Sequence, residues 1–151
     1  MRIIAGVLCD YAEVREGLLT VVSAGITRLW RGEFPAEMGV FLALQVEVEP
    51  AARPFRHEFG VRITGPSQKE VGTIAGGFQV GADGDFEADE PAIVNVPLDL
   101  RPVVIEEVGW YNLSISIDGA DPYVLRVRVG QPPASEADPG IRTAPGGSRT
   151  H

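Results

Sequence analysis

The chain has 151 residues and a formal net charge of −8, from 13 lysines and arginines against 21 aspartates and glutamates. Hydrophobic residues make up 44% of it, which suits one domain with a buried core and excludes a wholly disordered chain or a coiled coil. No apolar run approaches the roughly 20 residues of a transmembrane helix. The acidic balance argues against nucleic acid as a partner, because phosphates are bound chiefly by Lys and Arg.

The first segment predicts a strand rather than a secretory signal. The apolar stretch between Arg2 and Cys9 is shorter than the roughly 7–15 residues of a signal core, and Leu8 stands where a small residue would precede a lipidated cysteine. Cys9 is the only cysteine, so the fold is not built on internal disulfides. We expect a cytoplasmic protein that binds no membrane, in which Cys9 is a small buried hydrophobe.

Strands with a hydrophobic period of two follow along the chain. The first three are predicted over 3–13, 18–24 and 26–32, with a hairpin turn at Glu16-Gly17. Beyond residue 40, five segments alternate apolar and polar residues, so that one face of each strand packs on the core (the dry face) and the other faces solvent (the wet face). These segments begin at Val40, Phe55, Val94, Tyr111 and Tyr123. Pro97 cannot donate to a ladder, so its segment should be an edge strand or carry a bulge.

Two glycine-containing segments carry further structural information. Segment 70–80 contains three glycines and should be weak, bent or closely approached by other backbone. In the segment Gly109–Gly119, Tyr111 opens an alternating strand that ends in Asp118-Gly119, the type of pair that a tight hairpin turn needs. This segment resembles the penultimate strand of immunoglobulin-like sandwiches, where a tyrosine often hydrogen-bonds back across the corner.

Eight or nine strands, separated by Gly, Pro and Asp turns without amphipathic helices, predict an all-β fold. We expect an antiparallel two-sheet β-sandwich, immunoglobulin-like or related, over residues 1–130. Residues 131–151 contain four prolines, three glycines and one large apolar residue, Ile141. That composition cannot bury enough surface to offset the entropy of ordering, so it predicts a flexible C-terminal tail.

His57 is the only histidine outside the tail, and it falls on the face predicted to be dry. It could act as a general base or a metal ligand, but a hydrogen-bonded histidine at the margin of the core is the favoured interpretation. A hydrolytic site would require His57 to meet Asp10 or Glu13. No phosphate-binding glycine loop, nucleophile elbow or cysteine-pair motif is present, so we predict no enzyme, no catalytic residue and no cofactor.

Loop 81–90 is rich in carboxylates and is the weak candidate for a metal site. Its members at alternate positions are Asp83, Asp85, Glu87 and Asp89. Counted from Asp83, the sixth residue is Ala88 and the twelfth is Val94, which excludes a helix-loop-helix calcium site. A calcium or sugar site at the edge of the sandwich stays open as an alternative, beside the favoured interpretation of a solvated acidic loop.

Several segments also resemble an uncharacterised bacterial domain family that is frequent in actinobacteria. The resemblance lies in Cys9–Glu13 with Gly17–Thr27, in Phe41–Leu44, in Gly77–Val80 and in Tyr111–Gly119, and it covers about residues 3–130. It implies a free-standing domain without a leader, and it carries over no activity, cofactor or catalytic residue.

These observations predict a non-enzymatic protein-interaction module or accessory subunit of a bacterial complex. Contact with the unidentified protein partner is expected through an exposed sheet edge or through an aromatic patch around Trp30, Phe34 or Trp110. A homo-oligomer is also compatible with the sequence, because the edges of a sandwich can pair symmetrically.

Overall fold

The computed structural model describes residues 1–81 and 84–133. Within them the chain forms twelve β-strands and a single turn of 3-10 helix, Pro50–Ala52, and no α-helix. The strands are β1 (Arg2–Cys9), β2 (Tyr11–Arg15), β3 (Leu18–Val22), β4 (Arg28–Trp30), β5 (Ala36–Glu37), β6 (Phe41–Val48), β7 (Arg56–Thr64), β8 (Glu70–Gln79), β9 (Ala92–Asp99), β10 (Val104–Ile105), β11 (Gly109–Ile117) and β12 (Tyr123–Gly130). The predicted all-β class is confirmed. The described residues contain no helix long and apolar enough to cross a membrane.

The structure has more strands than the eight or nine predicted, because the N-terminal segment forms more and shorter strands than its hydrophobic pattern indicates. The single strand predicted over 3–13 is interrupted at Asp10, where the chain leaves β1 and enters the β2–β3 hairpin. Apolar residues lie on both faces of this segment, so its periodicity contains no sign of the break. β4, β5 and β10 are only two or three residues long.

Two larger sheets form the body of the domain. The first has the order β1-β6-β9 and the second the order β4-β12-β11-β7-β8. All neighbours in them are antiparallel except β4, which runs parallel to β12. Pro97 lies in β9, at the edge of the first sheet, as predicted. In the second sheet Gly76 pairs with Phe59, and a Cβ on Gly76 would lie 2.6 Å from Phe59 Cζ, which explains the glycine in this strand.

The inner faces of both larger sheets contribute to one buried cluster. Its largest fully buried members include Leu42, Leu44, Ile63, Tyr111, Leu113 and Ile115. β6 is buried on its other face as well, because Phe41 and Ala43 pack with Cys9 and Ala12 under the β2–β3 hairpin. The prediction that this part of β6 has one solvent-exposed face was therefore wrong, whereas the predicted burial of Cys9 is confirmed.

The two local features predicted around β11 are present. The hydroxyl of Tyr111 donates a hydrogen bond to the Glu107 carbonyl oxygen at 2.9 Å, back across the corner before the strand. At the far end, Asp118 and Gly119 have φ values of 49° and 73°, and the N–H of Ala120 donates to the Ile117 carbonyl. Two consecutive positive φ angles are typical of the type I′ turn, which matches the twist of a hairpin.

Candidate functional site

The outer face of the five-stranded sheet carries an aromatic and cationic cluster at its β4 end. Side chains of a strand alternate between faces, so the residues flanking buried Leu29, Tyr111 and Val127 point outward. We call the resulting set the Trp–Arg surface. It consists of Arg28 and Trp30 on β4, Trp110 on β11, and Arg126 and Arg128 on β12.

Strand register brings these five residues together. Arg128 lies opposite Arg28 on β4 and opposite Trp110 on β11, so the three side chains form a row across three strands. The ring of Trp30 lies over the backbone of Gly130, where a Cβ would approach Trp30 Cζ3 to 2.9 Å. Glycine at this position therefore lets the indole lie against β12.

The arginine side chains lie over the tryptophan rings. Arg126 Cζ is 4.5 Å from the centroid of Trp110, and Arg128 Cζ is 5.6 Å from it. Arg28 Cζ is 5.4 Å from the centroid of Trp30. Each contact of this kind contributes about 0.5–1 kcal/mol at an exposed position. The rings themselves stay accessible, since Trp30 is 49% and Trp110 43% exposed.

The three arginines have no acidic partner in the part of the chain that the structure describes. None of their nitrogen atoms lies within 4.0 Å of a carboxylate oxygen there, whereas Arg2, Arg15, Arg62 and Arg101 all form such pairs. The Trp–Arg surface is thus locally positive on a chain whose net charge is −8. Such a surface is complementary to an anionic group.

An open groove of about 550 Å³ runs along this surface. Its lining residues are Arg28, Trp30, Val108, Trp110, Arg128, Val129, Gly130 and Gln131. This set contains indole faces, aliphatic side chains and guanidinium groups, and it includes no nucleophile and no side chain that would transfer a proton near neutral pH. The groove can therefore bind a partner through apolar contact and charge, while its lining provides no group for general acid or base catalysis.

The structure brings two of the three predicted interaction residues together. Trp30 and Trp110 both line the groove, whereas Phe34 is half-buried against the main core and is not part of the lining. The arginines of the surface were not among the predicted site residues. Arg126 and Arg128 lie on the solvent-exposed face that the alternation of β12 predicts, so their exposure could be predicted from the sequence. The adjacency of β4, β11 and β12 could not.

The acidic loop lies elsewhere on the molecule, and its described carboxylates point into solvent. Asp85, Glu87 and Asp89 are exposed, and Glu90 accepts a hydrogen bond from the backbone N–H of Glu87. Over residues 1–81 and 84–133, no three His, Cys, Asp or Glu side chains are grouped as metal ligands would be. Asp83 lies outside the described residues, so the calcium alternative stays a prediction.

His57 occupies the dry face as predicted, and only 4% of its surface is exposed. Its Nδ1 lies 2.7 Å from Asp118 Oδ2, and its Nε2 lies 2.9 Å from the Ala52 carbonyl oxygen. The hydrogen bond to Asp118 is the main cause that raises the pKa of His57. The pKa of Asp118 is lowered, first by the backbone N–H of Glu58 and then by His57. Both ring nitrogens are engaged, so the imidazole has no free site for a substrate or a metal.

The hydrolytic arrangement of His57 with Asp10 or Glu13 is not formed. Tyr11, between the two acids, stacks edge-on against Phe41 at the first residue of β6, with ring centroids 5.2 Å apart. His57 lies near the opposite end of β6. Its ring centroid is 5.5 Å from that of Phe78, which packs with the cluster around Val48, the last residue of β6. The two ends of this eight-residue strand are about 23 Å apart at ~3.3 Å per residue, so His57 is remote from both acids.

Comparison with protein-family models gives a match over most of the chain. The model of a family described as "Family of unknown function (DUF6941)" matches residues 4–130. No curated protein matches the chain significantly. The predicted resemblance to an uncharacterised domain over about residues 3–130 is thereby confirmed.

Proposed function

We propose that this chain, which belongs to the family of unknown function DUF6941, is a non-enzymatic module that binds a partner protein through the Trp–Arg surface. The observation that carries the proposal is the groove itself, in which two exposed indoles share one face of a sheet with guanidinium groups that have no acidic partner among the described residues. Tryptophan and arginine are enriched among the residues that dominate protein interfaces.

The cellular setting of this proposal follows from the composition. We propose an accessory subunit of a bacterial complex in the cytoplasm, with a protein rather than a membrane or a nucleic acid as partner. The lone buried Cys9 supports a reducing compartment, and the net charge of −8 opposes binding to phosphate backbones.

The proposal extends to the detail of the fold. We infer that the three- and five-stranded sheets pack face to face as an immunoglobulin-like sandwich. Support comes from the buried cluster to which both sheets contribute and from the hydrogen bond between the Tyr111 hydroxyl and the Glu107 carbonyl. In such a sandwich the outer face of the five-stranded sheet is available to a partner.

Affinity capture with matched variants tests the proposed surface. The full chain is used as bait in a lysate of its native cell, and bound proteins are identified by mass spectrometry. We expect the double variant Trp30→Ser/Trp110→Ser to lose a specific set of partners that the wild-type chain retains. The control is Leu18→Ser/Phe55→Ser, which removes two exposed apolar side chains, 72% and 63% accessible, outside the groove.

Comparing the two double variants distinguishes specific binding at the Trp–Arg surface from non-specific binding to exposed apolar side chains. Loss of the same proteins in both double variants would attribute capture to exposed apolar surface in general. An unchanged set in Trp30→Ser/Trp110→Ser would remove the Trp–Arg surface from consideration. Unfolding curves of both variants, compared with that of the wild-type chain, show whether each is still folded.

A further inference from the structure

The β12 strand has an open edge beside the Trp–Arg surface. β4 pairs only with Arg128–Gly130, where the N–H of Arg128 donates to the Thr27 carbonyl and the Gly130 carbonyl accepts from the N–H of Arg31. Backbone groups of a strand alternate between its two edges, so those of Val124 and Arg126 point to the same side as those of Arg128. Among the described residues, no backbone group pairs with them on that side.

Space is present next to this edge. A small groove of about 120 Å³ lies beside Leu125 and Arg126, and its other walls are Gly6–Leu8 of β1 and the segment Gly25–Thr27 before β4. Val124 is 53% exposed on the outer face, in line with Arg126 and Arg128. An extended segment that paired with this edge would therefore run beside the arginines of the Trp–Arg surface.

We propose that the partner segment is an acidic peptide in extended conformation, which pairs with β12 at Val124–Arg126 and places its carboxylates against Arg28, Arg126 and Arg128. This proposal rests on the proposed function and specifies the chemistry of the partner. Main-chain pairing provides affinity in such strand addition, and the alternate side chains provide specificity. Arginine matches a carboxylate with two parallel N–H···O bonds, which gives the contact a defined geometry.

Two other occupants fit the site less well. A nucleic acid offers no backbone N–H and C=O groups with the spacing of a strand, so it cannot pair with the edge of β12. A second copy bound symmetrically through the same surface would place arginines against arginines, which opposes association. A short acidic peptide meets both the guanidinium groups and the backbone groups that have no partner within residues 1–81 and 84–133.

A peptide array tests the charge preference of the site. The unpaired part of the edge, Val124–Arg126, engages about three residues of a strand, because β4 occupies Arg128–Gly130. Random peptides of about seven residues, which extend about 23 Å at ~3.3 Å per residue, can pair there and still reach the arginines. The array is probed with the purified full chain. We expect the signal to rise with the number of Asp and Glu residues and to fall about tenfold or more in Arg126→Gln/Arg128→Gln. The control Arg56→Gln/Arg62→Gln removes two arginines from β7 of the same sheet and should retain the signal.

A titration in solution tests the mode of binding. Trp30 and Trp110 are the only tryptophans, so intrinsic fluorescence reports occupation of the surface. With the strongest acidic peptide we expect a saturable change, and a Kd about tenfold higher when a central residue is replaced by proline, which cannot donate to the strand edge. A single-stranded RNA of about twelve nucleotides serves as the competing ligand.

Three results would overturn the proposal: an array signal independent of peptide charge, an equal loss in both arginine double variants, or tighter binding of the RNA than of any acidic peptide. Failure of the peptides while Trp30→Ser/Trp110→Ser still loses captured proteins would refute only the acidic chemistry. Failure of both experiments would refute the interaction surface as well.

Discussion

His57 and Asp118 form a partly buried hydrogen bond between the start of β7 and the β11–β12 turn, with Nδ1 and Oδ2 2.7 Å apart, in which the imidazole is buried and the carboxylate is exposed. The second ring nitrogen faces the Ala52 carbonyl oxygen at 2.9 Å. Carboxylate and carbonyl oxygens only accept hydrogen bonds, so both ring nitrogens must donate. Below its raised pKa the imidazole therefore carries a proton on each nitrogen, with Asp118 as its counter-ion.

This pair predicts a pH optimum of stability on the acidic side of neutral. Because the pKa of His57 is raised, mainly by Asp118, its contribution is fully present below about pH 6.5 and is lost as the pH rises through the folded-state pKa. Because the pKa of Asp118 is lowered, its contribution is present above about pH 3.9 and is lost as the pH falls. Urea unfolding at a series of pH values should show the largest free energy of unfolding between these limits.

The variant Asp118→Asn isolates the ionic part of the interaction. Asparagine tolerates the positive φ of this position and can still accept the N–H of Glu58. We expect a loss of about 1–2 kcal/mol near pH 5.5, below the usual contribution of a buried hydrogen bond to a charged group, because solvent screens the exposed carboxylate of Asp118. The loss should shrink above neutral pH. An unchanged pH profile in this variant would mean that another group causes the dependence.

The hydroxyl of Tyr111 gives a second prediction. It donates to the Glu107 carbonyl at 2.9 Å and accepts from the Glu107 N–H at 3.3 Å, in a fully buried position. Tyr111→Phe should lower the free energy of unfolding by about 1–3 kcal/mol, because two backbone groups lose their partner. The control is Tyr123→Phe, since the Tyr123 hydroxyl has no hydrogen-bond partner among the described residues. Equal effects of the two changes would argue against the corner hydrogen bond as the cause.

The turn after β11 gives a third prediction. Gly119 has φ 73°, and nothing lies within 4 Å of the position that a Cβ would take. Gly119→Ala should therefore destabilise the fold by backbone strain alone, by about 1–2 kcal/mol. Gly32→Ala meets the same open space without a positive φ and should leave the unfolding midpoint nearly unchanged or slightly raised. A similar loss at both positions would contradict the assignment of strain to the turn.

Local patterns in the sequence predicted much of the fold, and long-range pairing limited the rest. The alternation of β7, β11 and β12, the Asp118-Gly119 turn and the edge position of Pro97 follow from residue types that are neighbours in the chain. Burial of Phe41 depends on a hairpin that folds over β6, which no period within β6 can indicate.

The same limit applies to the candidate site. Each strand of the Trp–Arg surface is recognisable by itself, but the row of Arg28, Arg128 and Trp110 exists only because β4 lies parallel to β12 and β12 lies beside β11. The partner of His57 is likewise 61 residues away in the sequence. Such contacts depend on strand order, which a single sequence does not contain.

Calcium binding by loop 81–90 is open to a direct measurement. The described carboxylates of this loop are exposed, and no three of them are grouped as ligands. Millimolar calcium should therefore leave the melting temperature unchanged, because a ligand stabilises the folded state only when it binds that state. Magnesium at the same concentration controls for ionic strength. A rise in melting temperature with calcium alone would restore the ligand-binding alternative and place Asp83 among its candidates.

Arg31 connects the stability of the fold to the position of Trp30. Its Nε donates to the Glu37 carbonyl at 3.0 Å and its Nη1 to the Trp30 carbonyl at 2.7 Å, while Nη2 bonds the carbonyl of buried Met38. A lysine cannot reach three carbonyls in one plane, because its ammonium group lacks the planar fork of arginine. We expect Arg31→Lys to lower the free energy of unfolding by about 1–3 kcal/mol and to make the fluorescence of Trp30 more accessible to a quencher.

Arg28→Lys is the matched control, because Arg28 donates to no carbonyl among the described residues and lies on the outer face of β4, three residues before Arg31. It should change stability by less than about 0.5 kcal/mol. If Arg31 positions the indole, Arg31→Lys should also weaken capture of the partner, although Arg31 does not line the groove. Reduced stability with unchanged capture would show that Arg31 only supports the loop between β4 and β6, and that Trp30 is held by its contact with Gly130 instead.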